Sequence, residues 1–124
     1  MKKEPKIIEG LLKSLINSEF HWFPKLRKGL NVPKKQGVYI IYDSKGKVVH
    51  VGRTQRGKEG LKQRLRNHLR GLSSFTKGHL NGDGDKLRKG YRFKYIVIEN
   101  PRQRALVEAL VTGRLCPEHL GLGE

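Results

Sequence analysis

The spacing of apolar residues along the chain predicts an alternation of helices and strands. Residues 5–18 carry apolar side chains three or four positions apart with charged residues between them, which indicates an amphipathic helix. Residues 38–42 and 48–51 are short apolar runs, and the turn residues at 43–47 predict that they form a β-hairpin. Residues 91–98 alternate and then become apolar, as expected of a third, central strand.

A short basic helix is predicted over residues 61–70, where the apolar residues form one stripe and most cations point away from it. At about 100° per residue, His68 falls inside this stripe and Arg64 at its edge. Both side chains are therefore expected to face the sheet. The stripe consists of Leu61, Leu65, Leu69 and Leu72.

The last helix and the two long connections are marked by capping and turn residues. Asn100 followed by Pro101 is a typical helix start, and this helix is expected to run to about Leu115. Residues 19–36 and 73–90 are basic and rich in turn residues, which predicts loops, the second with at most one helical turn. The aromatic residues in the first loop are expected either to form a plug that presents charge or to cap the domain.

The hairpin register follows from the position of its turn. A turn centred on residues 45–46 places Ile41 opposite His50 and Tyr42 opposite Val49. One face then carries Tyr39, Ile41, Val48 and His50, and the other carries Val38, Ile40, Val49 and Val51. The first face brings a tyrosine and a histidine into diagonal contact.

The amino-acid composition indicates which class of binding partner to expect. The 124 residues include 27 Lys and Arg against 11 Asp and Glu, a net charge of +16, which favours a polyanion: nucleic acid first and an anionic membrane second. A membrane binder would need an amphipathic basic helix with bulky aromatic residues, which the chain lacks. The single cysteine excludes an internal disulfide framework. The charged N-terminus is not expected to be a signal peptide, so a soluble cytoplasmic protein is expected.

Glu108 is the most informative single residue of the sequence. It lies in a predicted helix that is apolar nearly all round, and a buried carboxylate requires a compensating cation. That cation could be a metal ion, Arg104, or a basic residue of a strand. The faces that carry Tyr39, His50, Arg64, His68 and Glu108 could all meet around one pocket.

The order and spacing of these residues resemble those of the GIY-YIG nuclease family. The resemblance rests on Gly37-Val38-Tyr39, His50-Val51-Gly52, Arg64 with His68, and Glu108 with Pro117. It implies a small α/β fold of the α+β type, a three-stranded antiparallel sheet flanked by helices. Residues 36–124 would form this domain, and residues 1–35 a helix and basic aromatic segment packed on it or appended to it.

The resemblance also implies an activity, hydrolysis of DNA phosphodiester bonds with one Mg²⁺ or Mn²⁺ ion. Tyr39 would be a general base or would orient the attacking water, and His68 would assist proton transfer or orient Tyr39. Arg64 would neutralise charge on the scissile phosphate, and Glu108 would hold the metal. The remaining basic residues expected to contact the DNA backbone are Arg53, Arg56, Lys58, Lys62, Arg66 and Arg70, with further cations from 24–35 and 86–94.

Two positions depart from the family pattern. His50 stands where the second motif has a tyrosine, and Leu120 where many members have an asparagine, for which neighbouring His119 could substitute. Histidine can still donate, accept or act as a base. The alternative function is a catalytically inactive module that retains the fold and binds DNA or RNA.

Overall fold

A computed structural model of the chain describes residues 3–26 and 29–120. The α-helices are α1 (Lys3–Ile16), α2 (Gly60–Leu69), α3 (Ser74–His79) and α4 (Pro101–Leu115), with a 3₁₀ helix at Gly84–Arg88. The strands are β1 (His21–Trp22), β2 (Gly37–Tyr42), β3 (Val48–Arg53) and β4 (Arg92–Val97). None of the helices in these ranges has the length and apolar character needed to cross a bilayer.

The strands form one antiparallel sheet in the order β1-β4-β2-β3. The α+β fold with helices flanking an antiparallel sheet is confirmed, but the sheet has four strands instead of three. The additional strand lies in the segment predicted to be a loop, where His21 pairs with Phe93 and stacks on its ring at 5.5 Å. Two residues are too few for a period-2 pattern to be detected.

The sheet is buried on both faces, which explains why β2 is a continuous apolar run. On one face, α2, α3 and the 3₁₀ helix contribute Leu61, Leu65, Phe75 and Leu87, which pack on Tyr39 and Ile41. On the other face, α1 and α4 contribute Leu12, Leu15, Val107 and Val111, which pack on Val38 and Ile40. Tyr39 is therefore held in the middle of the protein core.

The hairpin register is confirmed at Ile41, which lies opposite His50, and a bulge changes it one residue later. Tyr42 pairs with Val48 and not with Val49, so Val49 is an extra residue in β3. The predicted faces of Val48 and Val49 are consequently wrong. Val49 packs with Tyr39 and Ile41, whereas Val48 packs on the opposite face.

The helix α2 forms as predicted, and its buried apolar stripe ends at Leu69 and not at Leu72. Leu61, Leu65 and Leu69 are buried, but Leu72 is 60% exposed because the helix ends before Gly71, whose φ of 75° turns the chain away. The segment 73–90, predicted to be a loop with at most one helical turn, contains more helical structure than expected. It contains α3 and the 3₁₀ helix, anchored by buried side chains.

The last helix begins as its capping residues predict. The Asn100 side chain accepts a hydrogen bond from the Gln103 amide at 3.0 Å, and Pro101 occupies the first turn. The segment 19–36 is tied to the core by the buried side chains of Phe23, Leu30 and Val32, as a hydrophobic cap would be, whereas Trp22 is 57% exposed.

Candidate active site

The two glycine-containing motifs lie side by side on β2 and β3. Tyr39 is directly opposite Gly52, and a Cβ atom at that glycine would collide with the Tyr39 hydroxyl and ring. The absent side chain therefore creates the space that the phenol fills. Tyr39 is fully buried, and burial raises its pKa to about 12 in spite of the opposing effect of the Arg64 guanidinium.

His68 contacts Tyr39 directly, as its place inside the apolar stripe of α2 predicts. The His68 Nε2 and Tyr39 Oη atoms are 2.7 Å apart, and on the other side of the ring Nδ1 lies 2.6 Å from Ser73 Oγ. Burial, followed by the proximity of His50 and Arg64, lowers the pKa of His68 well below its ordinary value. The imidazole is therefore neutral at physiological pH.

His50 completes the aromatic cluster without a hydrogen bond to Tyr39. Its ring stacks on Phe75 at 4.8 Å and lies 6.0 Å from the Tyr39 ring, so the predicted diagonal contact is present. Its Nδ1 lies 3.2 Å from the Nδ1 of His119, and its Nε2 has no partner among the residues described. Burial, aided by His119 and Arg64, lowers the pKa of His50 to about 3, which makes it a weak base.

Arg64 lies one helical turn before His68 and is half-buried. Its guanidinium is close enough to lower the pKa of Tyr39, and its buried Nε has no hydrogen-bond partner within 3–26 and 29–120. Arg64 lines a groove with Gln63 and Asn67 of α2 and the loop after β3. It also lines a second groove with Gly52 and Glu108, so it connects the two.

Glu108 projects from α4 into the second groove, where it forms an ion pair with Arg53. The Glu108 Oε1 and Arg53 Nη1 atoms are 3.1 Å apart, and less than a third of each side chain is exposed (28% and 30%). Burial raises the pKa of Glu108, while Arg53 and Arg64 lower it. The sequence allows three kinds of group to balance the charge of Glu108, and the structure shows an arginine of strand β3, Arg53. Arg104 binds elsewhere.

The groove offers one carboxylate, which suits a magnesium ion whose binding depends on further ligands from the substrate. No cluster of three or more His, Cys, Asp or Glu side chains that could hold a metal occurs in the described part of the chain. A lone carboxylate oxygen beside a groove is nonetheless typical of Mg²⁺, which retains several waters and takes further ligands from substrate phosphates. Glu108 therefore fits the metal role expected of it.

The predicted DNA-contacting residues lie on more than one surface. Arg56 lines the groove of Arg64, and Lys58 is exposed on the same loop. Lys62, Arg66 and Arg70 line a different groove on the other side of α2, where Asp83 and Arg88 also lie. Arg66 additionally pairs with Glu59 at 2.6 Å.

Sequence reasoning named Arg104 only as a possible partner of Glu108 and missed its support of the site, and it did not identify Ser73 or Thr76. Arg104 is 4% exposed and donates to the carbonyls of Thr54, Gln55, Ile98 and Glu99, which joins the ends of β3 and β4. The sequence did carry a signal for Arg104, because this residue lies one helical turn before Glu108 on the buried side of α4. Ser73 and Thr76 had no signal, because their contacts depend on the path of the chain after α2.

The C-terminal segment reaches the groove through His119. The His119 amide donates to the Val49 carbonyl at 2.9 Å, and its ring reaches His50 as described above. Leu120 lines the same groove and is 54% exposed. His119, and not Leu120, thus contacts the aromatic cluster.

Comparisons with known proteins agree with this geometry. The family model described as the GIY-YIG catalytic domain matches residues 35–111. UvrABC system protein C of Brucella abortus (strain 2308) is 30% identical over 86 residues, which are 69% of this chain and 13% of that protein. The same protein of strain 9-941 matches equally over 12% of its length.

The fold is also similar to solved structures. The GIY-YIG N-terminal endonuclease domain of UvrC from Thermotoga maritima, bound to its catalytic magnesium, matches with a TM-score of 0.51 and 19% identity over 91% of this chain and 98% of that one. A point mutant of that domain bound to the catalytic divalent cation matches with a TM-score of 0.54 and 21% identity, covering 74% of this chain and 89% of that one.

Proposed function

Because the chain belongs to the GIY-YIG family, we propose that it is a divalent-metal-dependent endonuclease that hydrolyses DNA phosphodiester bonds. The observation that carries this proposal is a groove lined by Arg64, Glu108 and Gly52, with the buried Tyr39–His68 pair directly behind Gly52. The pair, Arg64 and Glu108 each supply a group that phosphodiester hydrolysis requires: a proton acceptor, a cation for the phosphate and an oxygen ligand for a metal.

Arg64 is proposed to bind the scissile phosphate. A guanidinium can donate two parallel hydrogen bonds to phosphate oxygens, and its charge stabilises the negative charge that develops as water attacks phosphorus. The position of Arg64 between the two grooves supports this role, since a DNA strand that crosses from one to the other must pass it.

Tyr39 is proposed to accept the proton of the attacking water only as it gives its own proton to His68. With a pKa of about 12 the phenol is protonated at neutral pH and is by itself a poor base. The His68 imidazole at 2.7 Å is the neighbouring acceptor, although the burial that lowers its pKa makes it a weak base, as it does His50. Orientation of the water by Tyr39 is the other role that this geometry allows.

Glu108 is proposed to ligate the metal, Mg²⁺ or Mn²⁺. Bound there, the ion supplies a Lewis acid for the phosphate oxygens. Arg53 holds the carboxylate at the groove wall and competes with the cation for it. The free protein should consequently bind the metal weakly, and substrate phosphate should strengthen binding.

The basic surfaces are proposed to hold the DNA backbone without reading its sequence. Arg56 and Lys58 lie beside the Arg64 groove, and Lys62, Arg66 and Arg70 extend the positive surface around α2. Together with the net charge of +16, they should make binding strongly dependent on salt.

The test is metal-dependent cleavage of supercoiled plasmid at low salt. The wild type should nick or linearise the plasmid with Mg²⁺ and leave it intact with a chelator. Glu108→Gln and Arg64→Lys should reduce cleavage by about 100-fold or more, since each loses charge or geometry needed in the transition state. Glu19→Gln and Arg102→Lys, at exposed positions away from the groove, are the matched controls.

The same experiment separates the enzyme from the inactive binding module. Salt-sensitive retardation of plasmid, branched DNA and RNA by the wild type, with no cleavage of any of them, would contradict the nuclease and support the module. The replacement of the second-motif tyrosine by the weakly basic His50 is the feature that such a result would implicate.

A further inference from the structure

A closed set of hydrogen bonds behind His68 determines which of its ring nitrogens carries the proton. Thr76 Oγ1 lies 2.7 Å from the His68 carbonyl oxygen and 3.1 Å from Ser73 Oγ, and Ser73 Oγ lies 2.6 Å from His68 Nδ1. The Thr76 amide also donates to Ser73 Oγ at 3.1 Å. All three residues are 3% exposed or less.

The direction of every bond in this set follows from one carbonyl. A carbonyl oxygen can only accept, so the Thr76 hydroxyl donates its single proton to it. The Thr76 oxygen is then free to accept from Ser73 at 3.1 Å, and this bond uses the single proton of the Ser73 hydroxyl. Ser73 has none left for His68, and therefore its oxygen accepts a proton from His68 Nδ1.

The protonation state of the other ring nitrogen of His68, Nε2, follows from this. A buried imidazole with an arginine nearby and no carboxylate in contact is neutral and carries one proton. With that proton on Nδ1, Nε2 is a bare acceptor, and the 2.7 Å contact with Tyr39 is a bond that the phenol donates.

We propose that Ser73 and Thr76 are positioning residues that hold His68 as the tautomer protonated on Nδ1, with Nε2 open to receive the proton of Tyr39. The tautomer is inferred from the contacts of Ser73 and Thr76, and its effect on catalysis rests on the proposed function. In that reaction the water oxygen bonds to phosphorus and its proton passes to Tyr39 Oη. The Tyr39 proton passes to His68 Nε2, and the bond to the leaving oxygen breaks with its electron pair. The leaving oxygen takes a proton from solvent water, and His68 later returns its extra proton to solvent.

A purely structural role for Ser73 would leave part of this arrangement unexplained. Ser73 is the N-cap of α3, and the cap needs only the bond from the Thr76 amide. The cap does not require the Thr76 hydroxyl, nor the contact between Ser73 and His68. The hydroxyl of Thr76 is the group that distinguishes a positioning role from a capping role.

The test is Thr76→Val, which removes this hydroxyl and keeps the shape of the side chain and the amide that completes the cap. The His68 carbonyl retains a donor, the Gly71 amide at 3.2 Å. The proton of Ser73 loses its acceptor, and an unsatisfied buried donor is costly, so Ser73 should donate to Nδ1 and drive the ring proton to Nε2. We expect the tautomer ratio to shift by roughly 10- to 100-fold.

The tautomer is measured on the full chain by ¹⁵N NMR, which separates protonated from bare ring nitrogens. The wild type and Thr76→Ser should show Nδ1 protonated, and Thr76→Val should show Nε2 protonated. In plasmid cleavage, kcat of Thr76→Val should fall by a similar roughly 10- to 100-fold with KM unchanged, and Thr76→Ser should restore it. Thr76→Ala is the substitute if the valine variant does not fold.

Failure of this proposal is distinct from failure of the nuclease. A wild type with Nε2 protonated, or a Thr76→Val protein that keeps Nδ1 protonated, would overturn the assignment even if cleavage is robust. The expected tautomer change in a protein that cuts no substrate would support the assignment and refute the proposed function. Unchanged kcat despite the tautomer change would overturn the positioning role.

Discussion

Acid should destabilise this protein through two buried imidazoles. Burial lowers the pKa of His50 from 6.5 to about 3 and lowers that of His68 well below 6.5. Both groups regain ordinary pKa values when the chain unfolds. As the pH falls below 6.5, the unfolded state binds protons that the folded state excludes, so stability is full above that pH and declines towards pH 3.

The size of the stability loss depends mainly on how far the two histidines are protonated in the unfolded state. Between pH 8 and pH 5, each imidazole that stays neutral in the fold should lower the free energy of unfolding by about 2 kcal/mol. This figure changes little as long as the folded pKa lies below about 4. His50, whose folded pKa is about 3, should therefore remove about 2 kcal/mol of the roughly 5–15 kcal/mol typical of a domain, and His68 acts in the same direction.

The assay is urea unfolding at several pH values between 8 and 5, followed by circular dichroism. His50→Asn retains an amide near the Nδ1 position but does not titrate, so it should lower stability at pH 8 and lose about 2 kcal/mol less than the wild type on acidification. Ile41→Val, opposite His50 in the sheet, is the control and should lower stability by about 1 kcal/mol at every pH. Parallel curves for His50→Asn and the wild type would refute the reasoning.

Four further outcomes test the site. Tyr39→Phe should fold and lose about 100-fold or more in kcat for plasmid cleavage, and retained activity would exclude proton transfer through the phenol. Arg53→Gln should strengthen Mn²⁺ binding by the free protein about two- to fivefold in calorimetry, because it removes the competitor for Glu108; weaker binding would mean that the arginine organises the metal site. Lys62→Gln should reduce the salt dependence of DNA affinity by about one counterion, whereas an unchanged slope would place that lysine off the DNA path. Gly52→Ala should unfold or inactivate the protein, because its methyl group occupies the space of the phenol, and wild-type stability and activity would show that the ring can move.

The parts of the fold that follow from periodicity could be predicted from the sequence. The position of His68 inside the stripe of α2 and the pairing of Ile41 with His50 are local consequences of helix and hairpin geometry, and both are confirmed. The same local rules fail where few residues are involved. The two-residue strand β1 depends on pairing with β4 and on aromatic stacking, which no local pattern encodes.

The proximity of Tyr39, His50 and His68 could be predicted from the sequence, but the bonds of the candidate site could not. Glu108 was expected to need a cation, but several basic residues could have supplied one, and only tertiary packing selects Arg53. Similarly, Leu72 continued the apolar stripe of α2, and its exposure follows from a turn at Gly71. Contacts across long loops are set by packing, for which one sequence carries no periodic signal.

Because of the bulge at Val49, the strand pairing around His50 does not depend on the length of the hairpin turn. The bulge absorbs one residue between the turn and the paired segment, and every pair from Ile41–His50 inward is regular. Residues 43–47 include an Asp43 side chain that closes the turn by accepting from the Lys45 and Lys47 amides at 2.9 Å. The tip of this hairpin is therefore the place where the chain can tolerate insertions, such as a short peptide tag, without displacing the aromatic cluster.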